Sequence, residues 1–548
     1  MLNFSFSFQV VILMVICPVR GLYMLEDRLD NAGTDFVLMF MHQKKAGLPL
    51  QLHLTTSQPV PVIVRIRTPQ ALSEEHIDLL VQVYNSNVTI VLLPETLRSS
   101  SESERTYKSL LVTSDDVIVL FATSLQHKST DSTLVYPTDV LSNEYVAVSM
   151  LSDKPNPAFI GSTVGVVALE FGMVSIYLPD GITVLFDNIT YTAKMHITLN
   201  KYEVFHLVTT DVTGIIIKAN INLAAFSGHS FIKLGDPSGD HMEVMLPPIQ
   251  SLGRQYMVAK KPSYQYTPEF IRVVSTSIAT NINISDGVST SAVVLEGKGS
   301  YYDFDLPSTG ALLTANQSIL VAQISRSRCI DGTNGDPSMS LAFSPEFLSS
   351  QYTFGVPATF DSNLDKYNLL IVVEAIYLEH VQFDGVYLDP HVSWNNVADS
   401  EFLTTEIEDI TAGRHTLSSD QPWARLAGVV HGFGGGEHFQ TAIGRYLGEP
   451  RGQINTTKEE NVDVYRQSIL SLRYKDYLPS EAPFYNTTSE SLLMCFTLCL
   501  DYSACYLLAT RPDTDDVIGQ VICVLYTTVA ASGHLQSEPG YTLYRRFA

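Results

Sequence analysis

The chain has 548 residues, of which 45% are hydrophobic and 17% are charged, and its formal net charge is −23 at pH 7. This composition is typical of a folded globular protein, and the length suits about three or four domains. Because nucleic-acid binding needs a concentrated basic surface, the thinly spread negative charge argues against a nucleic-acid partner.

Residues 1–21 have the character of an export signal. An uncharged apolar stretch is followed by Pro18 and Gly21, as in secretory signal peptides, although no basic residue precedes it. An N-terminal anchor is the alternative, but the stretch is short for a bilayer span, and no later segment has the required run of about 18 apolar residues. We therefore expect a secreted, extracellular chain with no membrane span once the signal is removed.

Two further features fit export. Six glycosylation sequons lie beyond the signal, where glycans would mark surface loops. They are Asn87, Asn188, Asn283, Asn316, Asn455 and Asn486. Four of the six cysteines, Cys495, Cys499, Cys505 and Cys523, cluster near the C-terminus, and an even cluster in an exported chain predicts disulfide bonds. The lone Cys329 is expected to be buried, capped or cross-linked to another chain rather than a nucleophile.

Residues 22–447 are dominated by short apolar or alternating segments, which predict β-strands. The first of these are 36–41, 50–56, 62–67 and 87–93. The segment 99–108 is rich in Ser and Glu and is predicted to be a loop.

One pattern recurs about every 100 residues, which indicates an array of small repeated units. Each copy has a strand, a polar loop, a short second strand and a third strand. The clearest copy occupies residues 222–258; the others occupy 116–147, 319–354 and, in truncated form, 424–443. Asp131, Asp240 and Asp336 mark the first three copies.

Turn signals and periodicity complete the fold prediction. Asp-Gly pairs at 180–181, 286–287 and 384–385 predict turns in which glycine adopts a positive φ. Almost no segment before residue 455 has helical periodicity, so the fold is predicted to be all-β, with about four repeated antiparallel β units. The units could be tandem sandwiches or propeller-like blades closed around an axis, and the sequence leaves this choice open.

Histidines flank the repeated loop in two copies. His229 and His241, and likewise His431 and His438, could converge on a metal ion. No HExxH motif or carboxylate-bearing motif accompanies them, so solvated loop histidines are the expected reading.

Other polar motifs have simpler interpretations. Asp131, Asp240 and Asp336 could bind calcium, but a calcium site needs six or more oxygens, and capping of turns is favoured. Gly432-Phe-Gly-Gly-Gly436 lacks the Lys-Ser/Thr of a phosphate loop and fits a hairpin. There is no G-x-S-x-G elbow, so no catalytic residue, cofactor or metal is predicted.

Several motifs of the repeated region resemble one family of secreted proteins. They are Phe226-Ser-Gly-His229, Asp240-His-Met-Glu-Val-Met-Leu-Pro-Pro248, Gly253-Arg254, Gly335-Asp-Pro-Ser-Met339 and Val429-Val-His-Gly-Phe433. Over roughly residues 30–447 the chain resembles the N-terminal domain of the IgG Fc-binding protein family. The resemblance implies an extracellular adhesion or mucus-layer role without enzymatic activity. It does not imply Fc binding, because no family contact residues can be placed on this chain.

The C-terminal part has a different character. Residues 448–472 are predicted to be a linker with a short charged helix. In residues 473–548, a capping-box pattern at 487–490 precedes a helical segment that carries Cys495 and Cys499, and 506–509, 521–526 and 541–544 are predicted strands. This pattern resembles a PAN/apple domain, which binds proteins or carbohydrate. The resemblance implies the disulfide bonds Cys495–Cys523 and Cys499–Cys505.

Together these features predict a secreted, non-enzymatic adhesion or recognition protein of an extracellular or mucus-like layer. Its partner would be an extracellular protein or carbohydrate, which repeated units could bind with avidity. The rival hypothesis is a secreted hydrolase with a site in the loops between repeats.

Overall fold

The computed structural model of the chain separates into two compact units, one of residues 28–452 and one that includes residues 453–548. The structure describes residues 30–448, except 46, 72–74, 127–128, 154–160, 236–238, 263–268, 331–332, 357–365, 390 and 435–436. In the second unit it describes the backbone of residues 470–479, 485–489, 507–512, 521–526 and 535–546.

Four β-sandwiches follow one another in the first unit. Sandwich 1 contains β1 (Ala32–Leu38), β2 (Leu50–Thr55), β3 (Val62–Arg67), β4 (Asp78–Val83), β5 (Thr89–Leu93), β7 (Leu110–Gln126) and β8 (Ser129–Val135). The intervening strand β6 (Glu104–Thr106) joins a sheet of sandwich 2. Sandwich 2 contains β9 (Ser142–Val146), β10 (Ser162–Ala168), β11 (Gly172–Tyr177), β12 (Val184–Phe186), β13 (Ile189–Tyr191), β14 (Lys194–Leu199), β15 (Val204–Thr209), β16 (Ile216–Ile232) and β17 (Asp240–Met245).

The other two sandwiches are built in the same way. Sandwich 3 contains β18 (Gln255–Val258), β19 (Glu269–Ser275), β20 (Thr280–Ser285), β21 (Thr290–Leu295), β22 (Tyr301–Asp305), β23 (Ala311–Ala315), β24 (Ile319–Ser325), β25 (Arg328–Ile330), β26 (Thr333–Gly335) and β27 (Ser338–Leu341). Sandwich 4 contains β28 (Gln351–Val356), β29 (Lys366–Glu374), β30 (Val381–Phe383), β31 (Val386–Tyr387), β32 (Asn395–Asn396), β33 (Phe402–Ile407), β34 (Gly413–Ser419), β35 (Leu426–Gly434) and β36 (Glu437–Ala442).

All four sandwiches share one topology. Sandwich 3 has the sheets β18-β23-β20-β21 and β22-β19-β24-β27, and sandwich 4 has the corresponding sheets β28-β34-β30-β31 and β33-β29-β35-β36. In sandwiches 1 and 2 the counterparts of β23 and β24 are fused into one long strand, β7 or β16, which takes part in both sheets. The predicted repeat is therefore confirmed at the level of strand order.

The last strands of the four sandwiches meet at a common axis. β8 contacts β17 and β36, and β27 contacts the same two strands. We call the sheet that contains this last strand the inner sheet of each sandwich, and the other one the outer sheet.

The ring is closed where the first and last parts of the unit meet. Asp30 pairs with Tyr446 in an antiparallel β-bridge, and the backbone N–H of Arg445 donates to Asn31 Oδ1 at 2.9 Å. Arg414 Nε of sandwich 4 also donates to the carbonyl of Thr56 in sandwich 1 at 3.2 Å. The sequence left open whether the units are tandem sandwiches or blades closed around an axis. The structure combines the two, because the units are sandwiches and they close around an axis.

Central inner strands such as β10, β19 and β24 are buried on both faces, because each inner sheet packs against a neighbouring sandwich. Ile271 and Val273 of β19 lie in the core of sandwich 3. Phe270 and Val274, on the opposite face of the strand, belong to the core cluster of sandwich 2. Alternate side chains of one strand therefore fill two cores.

Most predicted strands are confirmed, with four informative misses. β4, β21 and β34 were not predicted, and β6 lies inside the segment predicted to be a loop, where it extends an inner sheet by pairing with β15. β4 and β21 were missed because most of their side chains are exposed and neither strand alternates clearly. The three Asp-Gly turns are confirmed, with φ of +81° at Gly181, +85° at Gly287 and +76° at Gly385.

Helical structure is scarce in the described residues. Five short 3-10 helices are present, at 95–97, 138–140, 249–251, 345–347 and 375–380. Nowhere in the described part of the chain does a helix reach the length and apolar character needed to cross a bilayer.

The second unit contains a five-stranded antiparallel sheet of order β37-β41-β39-β40-β38. Its strands are β37 (Leu470–Pro479), β38 (Tyr485–Ser489), β39 (Leu507–Pro512), β40 (Val521–Tyr526) and β41 (Leu535–Arg546). The three predicted strands of this region are confirmed, and β37 begins within the predicted linker 448–472. Cys495, Cys499 and Cys505 lie outside the described residues, as do the side chains of Cys523 and Cys329. The disulfide pairing and the PAN/apple resemblance therefore remain predictions.

Candidate functional sites at the ring axis and the outer sheet edges

Polar side chains join sandwiches 1 and 2 at the axis. Ser129 Oγ donates to Asp240 Oδ1, and Asp131 Oδ2 accepts from the backbone N–H of Glu243. The backbone N–H of Met245 donates to Thr133 Oγ1 at 3.0 Å. All of these side chains are buried, so these three groups of β8 make their hydrogen bonds with the neighbouring sandwich rather than with water.

Sandwiches 3 and 4 are joined at the axis in a similar way. Ser338 Oγ of β27 lies 2.6 Å from Nδ1 of His438 in β36. Gln440 Nε2, also from β36, donates to the carbonyls of Gln323 and Ser338, each at 3.1 Å.

Burial makes two of the axial carboxyl groups weak acids. It raises the pKa of Asp131 well above its usual range, and the charge of Glu243 acts in the same direction. Burial also raises the pKa of Asp240 well above its usual range, reinforced by the charge of Asp336. A carboxyl group removed from water favours its neutral form unless a positive partner compensates.

The prediction that the three repeat aspartates cap turns is wrong for Asp131 and Asp240, which lie in strands. Asp131 and Asp240 lie in β8 and β17, not in turns, and Asp336 is 1% exposed just ahead of β27. Asp240 does accept from the N–H of His241 at 2.7 Å, but its other bond crosses to sandwich 1. Period-two patterns do not reveal such contacts, because they come from residues far away in the chain.

The prediction that the repeat histidines are solvated loop residues is also wrong. His229, His241, His431 and His438 all lie in strands and are at most 3% exposed. The structure does bring each predicted pair together: His241 Nδ1 lies 3.0 Å from the carbonyl oxygen of His229, and the rings of His431 and His438 are 6.2 Å apart.

The electrostatics of His229 and His438 favour neutral rings. Burial, followed by the neighbouring His241, lowers the pKa of His229 to about 3. Burial also lowers the pKa of His438 well below its usual value. Across the described ranges, no group of three His, Cys, Asp or Glu side chains is placed to hold a metal ion.

A buried lysine near the axis forms an ion pair that the sequence did not indicate. Lys261 is 1% exposed, contacts Glu269 Oε1 and lies 2.8 Å from Gln440 Oε1. Lys260, the preceding residue, lies 3.0 Å from Glu269 Oε2. In the sequence Lys260 and Lys261 resemble ordinary loop lysines before a proline, and no local signal distinguishes the buried one.

Three of the four outer sheets present apolar side chains to solvent at an edge strand. These edge strands are β4, β21 and β31, whereas the corresponding edge strand of sandwich 2, β14, exposes polar side chains. Leu80 in β4 is 71% exposed, Val294 in β21 is 51% exposed and Val386 in β31 is 69% exposed. An edge strand also offers unpaired backbone N–H and C=O groups, so these edges combine apolar contact with hydrogen bonding.

The four sequons in the described part are all exposed. Asn87, Asn188 and Asn316 lie between strands, and Asn283 lies on the solvent face of β20. Asn455 lies outside the described residues, and the side chain of Asn486 in β38 is also outside them. Exposure is what glycosylation requires, and the modification itself remains a prediction.

Fold and surface together define a class, namely an all-β repeat protein whose polar axis is buried and whose outer sheet edges carry exposed apolar groups. The sequence model of the family described as IgGFc binding protein matches residues 131–428. The match begins in β8 and ends in β35, and it covers more than half of the chain, so the chain belongs to this family. The predicted resemblance is confirmed over these residues. No curated protein sequence matches the chain.

Proposed function

We propose that this chain is a secreted, non-enzymatic adhesion or recognition protein of an extracellular or mucus-like layer. Membership of the IgGFc binding protein family supports an extracellular binding role. The partner is an extracellular protein or a carbohydrate, bound by the outer sheets of the ring.

The observation that carries this proposal is the contrast between the axis and the outer edges. At the axis, polar groups of one sandwich bind polar groups of the next and are inaccessible to a large partner. At the outer edges, Leu80, Val294 and Val386 are exposed beside unpaired strand backbone. A partner strand can add to such an edge through main-chain hydrogen bonds, with side chains providing specificity.

The rival hypothesis, a secreted hydrolase, receives less support. The side chains that would test it, His229 and Asp240, are 3% and 0% exposed. A hydrolytic centre needs a general base within reach of a substrate. Asp240 instead accepts from Ser129 of sandwich 1, and His229 Nδ1 accepts from the backbone N–H of Phe231 at 3.1 Å. Burial of both groups therefore favours the binding role.

Binding is tested by passing the glycosylated chain over a glycan array and over immobilised mucus-layer proteins. We expect a saturable signal that falls at least tenfold in the triple variant Leu80→Asp, Val294→Asp, Val386→Asp. The matched control is Ile376→Asp, which changes another exposed apolar residue, 62% exposed, in a 3-10 helix outside the outer sheets. Equal binding by the triple variant and the control would show that the outer edges are not the binding surface.

The enzymatic alternative is tested on the same preparation. Broad hydrolase probes should leave the chain unlabelled. Labelling that is lost in His229→Ala or Asp240→Ala but retained in Ile376→Asp would contradict the binding role. It would support the hydrolase hypothesis instead.

A further inference from the structure

The geometry points to a covalent cross-link between sandwiches 3 and 4, an isopeptide bond that joins Lys261 Nζ to the side-chain carbonyl carbon of Gln440. Lys261 lies between β18 and β19, and Gln440 lies in β36. The two residues are 179 positions apart in the chain, and each is 1% exposed. The bond would form without another protein.

The amide of Gln440 is held in one orientation. Its Nε2 donates to the carbonyl oxygens of Gln323 and Ser338, each at 3.1 Å, so its Oε1 faces Lys261 at 2.8 Å. The carbonyl carbon is one bond of about 1.2 Å from Oε1, so it lies within roughly 4 Å of Lys261 Nζ. Reacting atoms in near-attack geometries are about 3–3.5 Å apart, and a small side-chain movement covers the difference.

Glu269 is placed to move protons. Its Oε1 contacts Lys261 Nζ and accepts from Gln323 Nε2 at 3.0 Å, and its Oε2 lies 3.0 Å from Lys260 Nζ. One carboxylate thus meets two ammonium groups. Lys260 can retain the ion pair while Lys261, the more deeply buried of the two, gives up its proton. Burial also lowers the pKa of Lys261, which favours the free amine.

The reaction balances with the groups present. Glu269 takes a proton from the Lys261 ammonium, and the free amine attacks Cδ of Gln440 to form the Nζ–Cδ bond. Glu269 returns a proton to Nε2, the Cδ–Nε2 bond breaks, and ammonia leaves. Glu269 then accepts the second proton from Nζ, which leaves an amide. No oxidant or other reactant is consumed.

The surroundings protect this chemistry from water. Glu269 is 1% exposed, and Ser325 beside it and Ser338 beside Gln440 are equally buried. Exclusion of water prevents competing hydrolysis and strengthens the interactions that position the amide. The product would lock two sandwiches of the ring together, which suits a protein exposed to proteases and force outside the cell.

The cross-link is tested by peptide mapping of the reduced, deglycosylated full-length chain after trypsin digestion. We expect the peptide ending at Arg272, which contains Lys261, joined to the peptide ending at Arg445, which contains Gln440, with a mass lower by one ammonia than the sum of the two. Lys261→Arg keeps the positive charge and should lose the joined peptide. The matched control Lys260→Arg should retain it.

Three outcomes are decisive. Recovery of both linear peptides in full yield from folded wild-type protein would overturn the inference. A joined peptide that has lost water instead of ammonia, with Lys261 bonded to Glu269, would also overturn it. Because denatured cross-linked chain migrates faster in a gel, a mobility difference between Lys261→Arg and Lys260→Arg, with equal β-sheet circular dichroism, would support it even if one variant is less stable.

Discussion

The inner and outer sheets of the ring differ in how many of their side chains are buried. Outer strands such as β3 and β20 alternate between buried and exposed side chains, since one face meets a core and the other meets water. Inner strands such as β10, β19 and β24 are buried along their whole length. The same sandwich topology therefore holds one sheet that lies mainly between its own core and water, and one whose central strands are buried against a neighbouring sandwich as well.

This difference indicates which residues of the ring contribute most to its free energy of unfolding. Equivalent chemical changes should be costly in an inner sheet, where two sandwiches depend on each residue, and cheap in an outer sheet. The following predictions compare matched residues from the two kinds of sheet.

The largest contrast concerns two bidentate ion pairs. Arg272 of β19 binds Asp303 at 2.8 and 2.7 Å, and its Nη1 also donates to the carbonyl of Ser149 in sandwich 2 at 2.7 Å. Its side chain is 3% exposed, as against 48% for Arg65, which binds Asp78 on the outer sheet. Arg272→Ala removes a partner of the buried Ser149 carbonyl and of the Asp303 carboxylate, which is 33% exposed, and should cost about 3 kcal/mol of unfolding free energy.

Arg65→Ala is the matched control, and it should change stability little, because exposed ion pairs contribute little. Both variants are compared by denaturant unfolding. Equal losses in the two variants would contradict the distinction between the sheets.

The second contrast removes an apolar side chain. Ile371 of β29 is 0% exposed and Ile63 of β3 is 37% exposed. Ile371→Ala should cost about 2–5 kcal/mol because it creates a cavity in a shared core. Ile63→Ala should change the free energy of unfolding by about 0.5 kcal/mol or less. A larger loss of unfolding free energy for Ile63→Ala than for Ile371→Ala in the same assay would contradict the assignment of Ile371 to a buried core and of Ile63 to the solvent face.

The third prediction concerns pH. Burial lowers the pKa of His53, on the inner strand β2, to about 4. The unfolded chain binds this proton near pH 6.5, so the stabilising contribution is complete above that pH and is lost as the pH falls through about 4. Each such histidine should reduce stability by about 1.4 kcal/mol per pH unit within this window.

The raised pKa values of Asp131 and Asp240 act in the opposite direction, because these groups destabilise the fold as the pH rises. The test is therefore the difference between wild type and His53→Gln, whose unfolding free energy should fall less steeply between pH 6 and pH 4.5. The exposed His391→Gln variant serves as control. Identical slopes for wild type and His53→Gln would show that His53 is protonated in the folded ring.

The smallest expected effect is at the outer-sheet sequon Asn283. Asn283→Gln should remove one glycan, seen as a lower mass, and should leave the unfolding free energy within about 0.5 kcal/mol of wild type. The buried inner-sheet amide Gln323 provides the contrast, since Gln323→Ala should be clearly destabilising. An unchanged mass in Asn283→Gln would mean that this sequon is not used.

The sequence predicted the repeat and the local turns better than it predicted which polar residues are buried, and three of the four missed strands, β4, β21 and β34, lie in outer sheets. Alternation in 62–67 and the Asp-Gly turns reflect local rules, and both are confirmed. The burial of Asp240, His229 and Lys261 was not predicted, because their partners belong to other sandwiches more than 100 residues away or to strands whose pairing the sequence does not encode locally. A polar residue that is satisfied across an interface has the same local pattern as one in water.

Closure of the ring likewise could not be predicted from local sequence patterns. It depends on Asp30 meeting Tyr446 and on Asn31 binding the backbone of Arg445, contacts between the two ends of the unit. Nothing in either segment alone indicates the other.

A designed disulfide between the two ends tests the closed ring most directly. Cα atoms paired in an antiparallel bridge lie about 4.5–5.5 Å apart, within the range that a disulfide spans. The variant Asp30→Cys, Tyr446→Cys should form this bond in high yield on mild oxidation, as shown by peptide mapping, whereas Asp30→Cys, Val288→Cys should not. Equal yields in the two variants, or no bond in either, would contradict closure and indicate an open array of sandwiches.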